Sequence, residues 1–195
     1  GKEVAYVRLA ANRTMLEMGQ VESLVAEAKA ALPHGAVGGR LMNFPWDLVE
    51  YNADALREDA GLLRQNPRLR PNRSAAVVGS SDDFLCHPSA RVEPHVLVDT
   101  TRGPVLVDRE AVVQAFSRLE GPCYIGPGTH VLAARIRGGS FGPQCRVGGE
   151  VEESILQGYS NKYHDGFLGH SYLGEWVNFG AGTHTSDLRN DYGPI

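Results

Sequence analysis

The stretch VDREAVVQAFSRLEGPCYIGPGTHV, residues 107–131, carries an aliphatic residue at every sixth position: Val107, Val113, Leu119, Ile125 and Val131. Four places after each stand Ala111, Ser117, Cys123, Thr129 and Arg135, all but the last of them small. A period of six suits neither the 3.6-residue turn of a helix nor the two-residue alternation of a half-buried strand. It suits a coil of three six-residue faces, about 18 residues round, in which each inward aliphatic stacks on its equivalent in neighbouring coils. The expected fold is therefore mainly β: a left-handed parallel β-helix, or hexapeptide-repeat solenoid. An antiparallel sandwich would need sustained alternation and hairpin dipeptides, and the sequence has neither.

Working outward, Cys86, Val92 and Val98 keep the spacing upstream, with Ala90 and Val96 inside it. Downstream the pattern resumes at Phe141 and Val147, with Cys145 and Val151 at the compact position, and again at Phe167, Leu173, Phe179 and Thr185. Residues 137–140 read as a four-residue insertion and residues 159–166 as a second interruption, both expected to leave the body as loops. Gly126, Gly142, Gly148, Gly174 and Gly180 each follow a bulky position and are expected at tight turns.

The first 72 residues have a different character. KEVAYVRLA alternates like a strand, residues 21–32 read as a helix ending at Pro33 and Gly35, and Pro45 and Trp46 open a second helical stretch. Asn52 is placed to cap a further helix running through Leu63, before the polar linker QNPRLRPNRS. The expected division is a small α-rich segment over residues 1–72 and the β-helix over residues 73–195. So little secondary structure buries little core, so the segment is expected to pack on the solenoid or on a part of the protein beyond this chain. An open solenoid end leaves strand edges, so continuation past Ile195 is also expected.

With 19 basic and 23 acidic residues and no Lys/Arg cluster, the chain lacks the footprint of a nucleic-acid binder. No stretch is long and apolar enough for a membrane span, and no signal peptide is recognisable, so a cytoplasmic protein is expected. Three cysteines without CxxC spacing suggest buried apolar residues. The glycine-rich HGAVGGRLMNFP, residues 34–45, follows a helix and leads to Trp46, which is the wrong context for a nucleotide loop.

Residues 148–183, GGEVEESILQGYSNKYHDGFLGHSYLGEWVNFGAGT, resemble the carboxy-terminal half of the bifunctional N-acetylglucosamine-1-phosphate uridyltransferase/glucosamine-1-phosphate acetyltransferases. They resemble more closely a branch of sugar nucleotidyltransferases carrying GYSNKxHDGFLG. The resemblance covers the solenoid and makes residues 1–70 the end of a nucleotidyltransferase domain and its connection. It implies a transferase, a homotrimer, and acetyl-CoA bound between subunits. It implies a sugar phosphate or nucleotide sugar as substrate. Mg2+ would belong only to a nucleotidyltransferase domain, which is not recognisable in this chain. By the same resemblance His170 is the catalytic base, with Tyr172 and Asn178 beside it and Lys162 in the place of a phosphate-binding lysine. Asn161, Arg146 and Asn190 complete the expected binding set, Asn190 standing in SDLRNDYG where the family has CNYDG.

Acyl transfer from a thioester to an amine needs a base for the amine proton, donors for the developing oxyanion, and cations for the phosphate. Histidine suits the first task because its pKa lies near neutrality. Two other functions stay open: a non-catalytic trimerising or regulatory solenoid of a sugar nucleotidyltransferase, and a zinc-dependent hydratase using His164, His170 and His184.

Overall fold

The computed structural model describes residues 18–33, 35, 38–65 and 68–185. The chain forms two compact units, Gly1–Asn43 and Phe44–Ile195. In the first, a 3-10 turn at Met18–Gln20 leads into α1, Val21–Ala31. The helix stops before Pro33 because the residue preceding a proline is pushed out of helical conformation, and Leu32 is extended. The KEVAYVRLA segment lies outside the described residues.

The second unit opens with α2, Asp47–Leu63. Asp47 accepts a hydrogen bond from the Phe44 amide at 3.0 Å, and Asp47 and Glu50 place negative charge at the positive end of the helix. The expected separate helix capped by Asn52 is corrected, because no proline or glycine interrupts the first turns and one helix runs through. Asn52 lies inside α2, where its Oδ1 accepts a hydrogen bond from Ser140 Oγ at 2.7 Å.

The rest of the unit is a parallel β-solenoid of about six turns, with one antiparallel pairing at its start. Three faces repeat along it. On face A, Val98, Leu119, Ile136, Val151 and Leu168 stack in one inward column. On face B the column is Cys86, Val107, Ile125, Phe141, Leu156 and Leu173. On face C it is Val92, Val113, Val131, Val147 and Lys162. The hexads of residues 107–131 therefore walk round the prism as the sequence pattern predicts, and all five aliphatics are fully buried.

Both expected register breaks are corrected. Val131 to Ile136 and Ile136 to Phe141 are steps of five, and Val147 to Val151 is a step of four, so the corners are shortened rather than filled with inserted residues. The chain runs through them as one strand, His130–Phe141, turning at Gly138 and Gly139, both at positive φ. The compact inward residue there is Ala134, while Arg135 is exposed. Residues 159–166 do not leave the body either: Leu156, Lys162 and Leu168 sit on consecutive faces at steps of six, and a lysine in an aliphatic slot hides the repeat. Leu168, not Phe167, points inward. The true insertion lies earlier, where nine residues rather than six separate Val98 from Val107 and carry Arg102 out to α2, whose Arg57 Nε donates to the Arg102 carbonyl at 3.2 Å.

The compact corner positions bear load through hydroxyls as well as through size. Thr129 Oγ1 donates to the Gly142 carbonyl at 2.6 Å and accepts from the Cys145 amide at 2.9 Å, joining successive coils. Ser160 does the same two turns later, to the Gly174 carbonyl and from the Val177 amide. These bonds satisfy corner groups that strand pairing leaves over. Close approach explains the glycine at position 148: a Cβ there would lie far inside contact distance of the Tyr163 carbonyl, whereas one at Gly174 meets nothing within 4 Å. Gly148→Ala is accordingly expected to cost about 1–3 kcal/mol in urea unfolding and Gly174→Ala under about 1 kcal/mol. Equal midpoints for the two variants would contradict the assigned packing.

The outer surfaces of the three faces differ. Face B is covered by α2, which packs on the strands Arg118–Ile125 and His130–Phe141 and has Leu56 and Ala60 buried. Face A bears a ladder of ion pairs: Arg118 with Asp99 and Glu120, Arg137 with Glu120 and Glu152, and Arg135 with Glu150. Face C bears no such ladder among the described residues, and α2 lies on face B.

Candidate functional site

Strict alternation along the strand Asn161–Lys162 sends Asn161 outward and Lys162 inward. On the outer side of face C, Arg146, Asn161 and Asn178 therefore occupy equivalent places on three successive rungs. Asn161 Nδ2 donates to Asn178 Oδ1 at 2.7 Å, and Arg146 reaches the Cys145 carbonyl at 3.4 Å. Asn161 Oδ1 is buried without a hydrogen-bond partner. His130 stands one rung before Arg146, its pKa held below the usual histidine value by burial first and then by Arg146 and Arg91.

Lys162, expected as a phosphate ligand, is only 1% exposed. Its Nζ donates to the carbonyls of Gly148 at 3.0 Å and His164 at 2.7 Å, which lie on the coil before it and on its own corner. Loss of solvent lowers its pKa below the ordinary lysine value, with the Asp165 charge acting the other way. The ammonium is thus anchored inside the solenoid.

His170 and Tyr172 lie elsewhere. His170 takes the positive-φ position at the corner between faces A and B, one rung beyond Glu153, and its Nε2 lies 3.5 Å from Glu153 Oε2. Tyr172 projects from the outer side of face B and donates from its hydroxyl to Gln157 Oε1 at 2.8 Å. Within one chain the sequence-derived set therefore divides into Arg146, Asn161 and Asn178 on face C, His170 and Tyr172 at the A–B corner and beyond it, and Lys162 in the interior. Asn190 lies outside the described residues.

Sequence reasoning missed two aromatics. Tyr159 and Trp176 hold equivalent positive-φ places at the B–C corner, two residues before Asn161 and Asn178, with ring centroids 4.9 Å apart and planes within 10°. Their separation of 17 residues, one coil, was the available signal. Under α2 lies a cavity of about 360 Å3 bordered by Asn52, Leu56, Asp59, His87, Tyr124 and Ser140, and none of the expected site residues lines it. Cys86, Cys123 and Cys145 are free and buried, and burial pushes the Cys86 thiol up to about 12, so all three behave as apolar core residues. Among the described residues no three His, Cys, Asp or Glu side chains of one chain are gathered to hold a metal ion, His164, His170 and His184 included. Nor is any described helix long and apolar enough to cross a membrane.

No family model matches the sequence. Curated relatives do, and they carry the name bifunctional protein GlmU. The protein from Jannaschia sp. (strain CCS1) is 38% identical over 143 residues, 65% of this chain and 30% of its own length. That from Anaeromyxobacter dehalogenans (strain 2CP-C) is 28% identical over 143 residues, 73% of this chain and 26% of its own length. That from Rippkaea orientalis (strain PCC 8801 / RF-1) is 38% identical over 73 residues, 36% of this chain. The chain spans between 15% and 30% of the length of these three relatives. Together with a parallel β-solenoid of about six turns, these matches make the chain similar to a part of the bifunctional protein GlmU.

Proposed function

We propose that the chain is the solenoid part of a sugar-phosphate nucleotidyltransferase/acetyltransferase, and that its own task is acetyl-CoA-dependent acylation of an amino-sugar phosphate. The observation that carries this reading is the outer column of Arg146, Asn161 and Asn178 on face C of a solenoid similar to part of GlmU. A guanidinium and two carboxamides in one line suit an anionic, hydroxyl-rich substrate, the cation meeting phosphate and the amides meeting hydroxyl or carbonyl groups. Acetyl-CoA, when bound, supplies the acyl group as a thioester. The chain's share is to hold the amine and take its proton, and His170, oriented by Glu153, has the chemistry for that step. Because His170 and the column lie on different parts of one prism, the reading requires a site shared between copies, His170 from one and the column from another, in a homotrimer.

The test combines calorimetry with acetyl-CoA and an assay of thiol release in the presence of glucosamine 1-phosphate. Saturable heat and turnover are expected, with both activities of His170→Ala and Asn178→Ala lost singly and partly restored when the two variants are co-refolded into mixed assemblies. Failure of acetyl-CoA to bind an assembled, folded chain would overturn the assignment. It would favour the second reading, a solenoid that only assembles or regulates an adjoining nucleotidyltransferase domain. That reading draws support from Lys162, whose ammonium is already held by two backbone carbonyls.

A further inference from the structure

The side of α2 that meets the solenoid is not wholly apolar. Asn52, Leu56, Asp59 and Leu63 follow one another at steps of four, three and four residues, so they form one stripe, and that stripe borders the cavity of about 360 Å3 over face B. Asn52 is engaged through Oδ1, which accepts from Ser140 Oγ at 2.7 Å, and its Nδ2 is left to donate. Asp59 has no hydrogen-bond or ion-pair partner among the described residues, although it stands in the stripe that packs. Leu56 and Leu106, both buried, give the cavity apolar walls.

The solenoid side supplies groups held in fixed positions. His87 and Asp108 take equivalent places on consecutive rungs, on the order of 5 Å apart by strand spacing. Asp108 is fixed at both oxygens: the Tyr124 hydroxyl donates to Oδ2 at 2.8 Å and the Arg109 amide to Oδ1 at 2.6 Å. Burial first, and then the Asp108 carboxylate, push the Tyr124 phenol up, so it stays protonated and donating. His87 Nδ1 accepts from the Ser89 amide at 3.1 Å, so the neutral ring carries its proton on Nε2. The Arg109 guanidinium beside them is in no ion pair among the described residues.

Three properties of this lining select an occupant. Donors on Asn52, His87 and Arg109 and acceptors on Asp59 and Asp108 border the cavity together, and a hydroxyl is the group that serves both kinds at once. Carboxylates at Asp59 and Asp108 stand against guanidiniums at Arg68 and Arg109, so neither a phosphate nor an ammonium is favoured. The leucine walls suit the C–H face of a ring, and the volume, at the lower end for small-molecule pockets, has room for one. We propose that the cavity between α2 and face B binds a single uncharged sugar ring, whose hydroxyls bridge Asn52 and Asp59 of the helix to His87, Asp108 and Arg109 of the solenoid. The ligand meets both walls at once, so it binds only while the helix is docked and favours docking by mass action. None of these residues belongs to the face C column or to the His170 corner, so the site does not depend on the acetyl-transfer reading above.

The full chain is titrated with N-acetylglucosamine, N-acetylglucosamine 6-phosphate and N,N′-diacetylchitobiose while the ligand signals are followed by saturation-transfer NMR, and amide exchange is measured by mass spectrometry with and without N-acetylglucosamine. Saturable binding of N-acetylglucosamine is expected, with slower exchange over residues 52–63 of α2. The 6-phosphate should bind about tenfold more weakly, since two carboxylates border the cavity. Asp59→Asn should weaken N-acetylglucosamine about tenfold, the loss of a hydrogen bond to a charged group. Diacetylchitobiose binding more tightly than N-acetylglucosamine identifies the end of a glycan as the source of the ring; binding no more tightly identifies a free sugar. The proposal is overturned by absence of saturable binding, by a 6-phosphate that binds as tightly, or by an unchanged affinity in Asp59→Asn with native circular dichroism. Protection over residues 161–178 in place of 52–63 overturns it too, by putting the sugar on the face C column, as does equal protection by sorbitol, which means a solvent effect. No thioester is present in these titrations, so their outcome is scored separately from acetyl transfer.

Discussion

Replacing Phe141 by alanine lowers the free energy of unfolding by about 3–5 kcal/mol, the range for a large aromatic removed from a packed core. Phe141 is fully buried in the face B column between Ile125 and Leu156. Relaxation around it is restricted, because the rungs above and below are tied by main-chain bonds, from the Gly126 amide to the Phe141 carbonyl and from the Gly142 amide to the Leu156 carbonyl. The cavity therefore stays largely open, and both the lost transfer energy and the lost contacts count. Urea denaturation followed by far-ultraviolet circular dichroism reads the effect as a lower midpoint at unchanged slope. A loss below about 1 kcal/mol would mean that the column is not packed as described.

The second large effect is at Lys162, and it separates volume from charge. Lys162→Ala is expected to cost about 2–4 kcal/mol, since it empties a slot in the face C column and leaves the carbonyls of Gly148 and His164 without their donor. Lys162→Met keeps most of the volume and removes a desolvated ammonium, so its cost is expected to be less than half as large. The pH dependence has a definite sign. The folded pKa lies below the ordinary value of 10.5, so between the two the unfolded chain binds more protons and stability rises with pH. The burial cost is present in full at neutral pH and is relieved as pH climbs through that window towards 10.5. Unfolding of the native chain and of Lys162→Met between pH 7 and 10.5 checks this: the native chain should gain on the variant as pH rises. A difference that runs the other way would place the ammonium in contact with solvent or with an acid.

The legibility of the chain followed the physics of each region. Where rungs are full hexads, from Val107 to Val131, inward residues recur at a fixed offset and the three faces could be counted from the sequence. Where corners lose a residue, as between Val131 and Phe141, the same packing produces steps of five and looks like an insertion, because period alone does not distinguish a shortened turn from a loop. Lys162 defeated the pattern for a different reason: a hydropathy reading sees a charge at the surface, and only the convergence of two carbonyls shows how a long side chain is accommodated inside. The helices were legible in position but not in number, since Asn52 is a good cap in isolation and a mid-helix residue once Ser140 engages it. The expected site fared as its origin dictated. Arg146, Asn161 and Asn178 are brought into one column by coil spacing, which sequence encodes, whereas the placing of His170 relative to them depends on which face each residue reaches and on copies of the chain that a single sequence does not describe.

A solenoid rung touches only the rungs beside it, so its strength is that of a zip fastener and not of a keystone arch. The lysine rung is a perforation in that fastener: on one side lie uninterrupted aliphatic columns, on the other the last coil, with Leu168, Leu173 and the aromatic corner. Heat should therefore tear the molecule along this line, peeling the terminal coil away while the body holds, and amide exchange should record two tiers of protection that meet at residue 162.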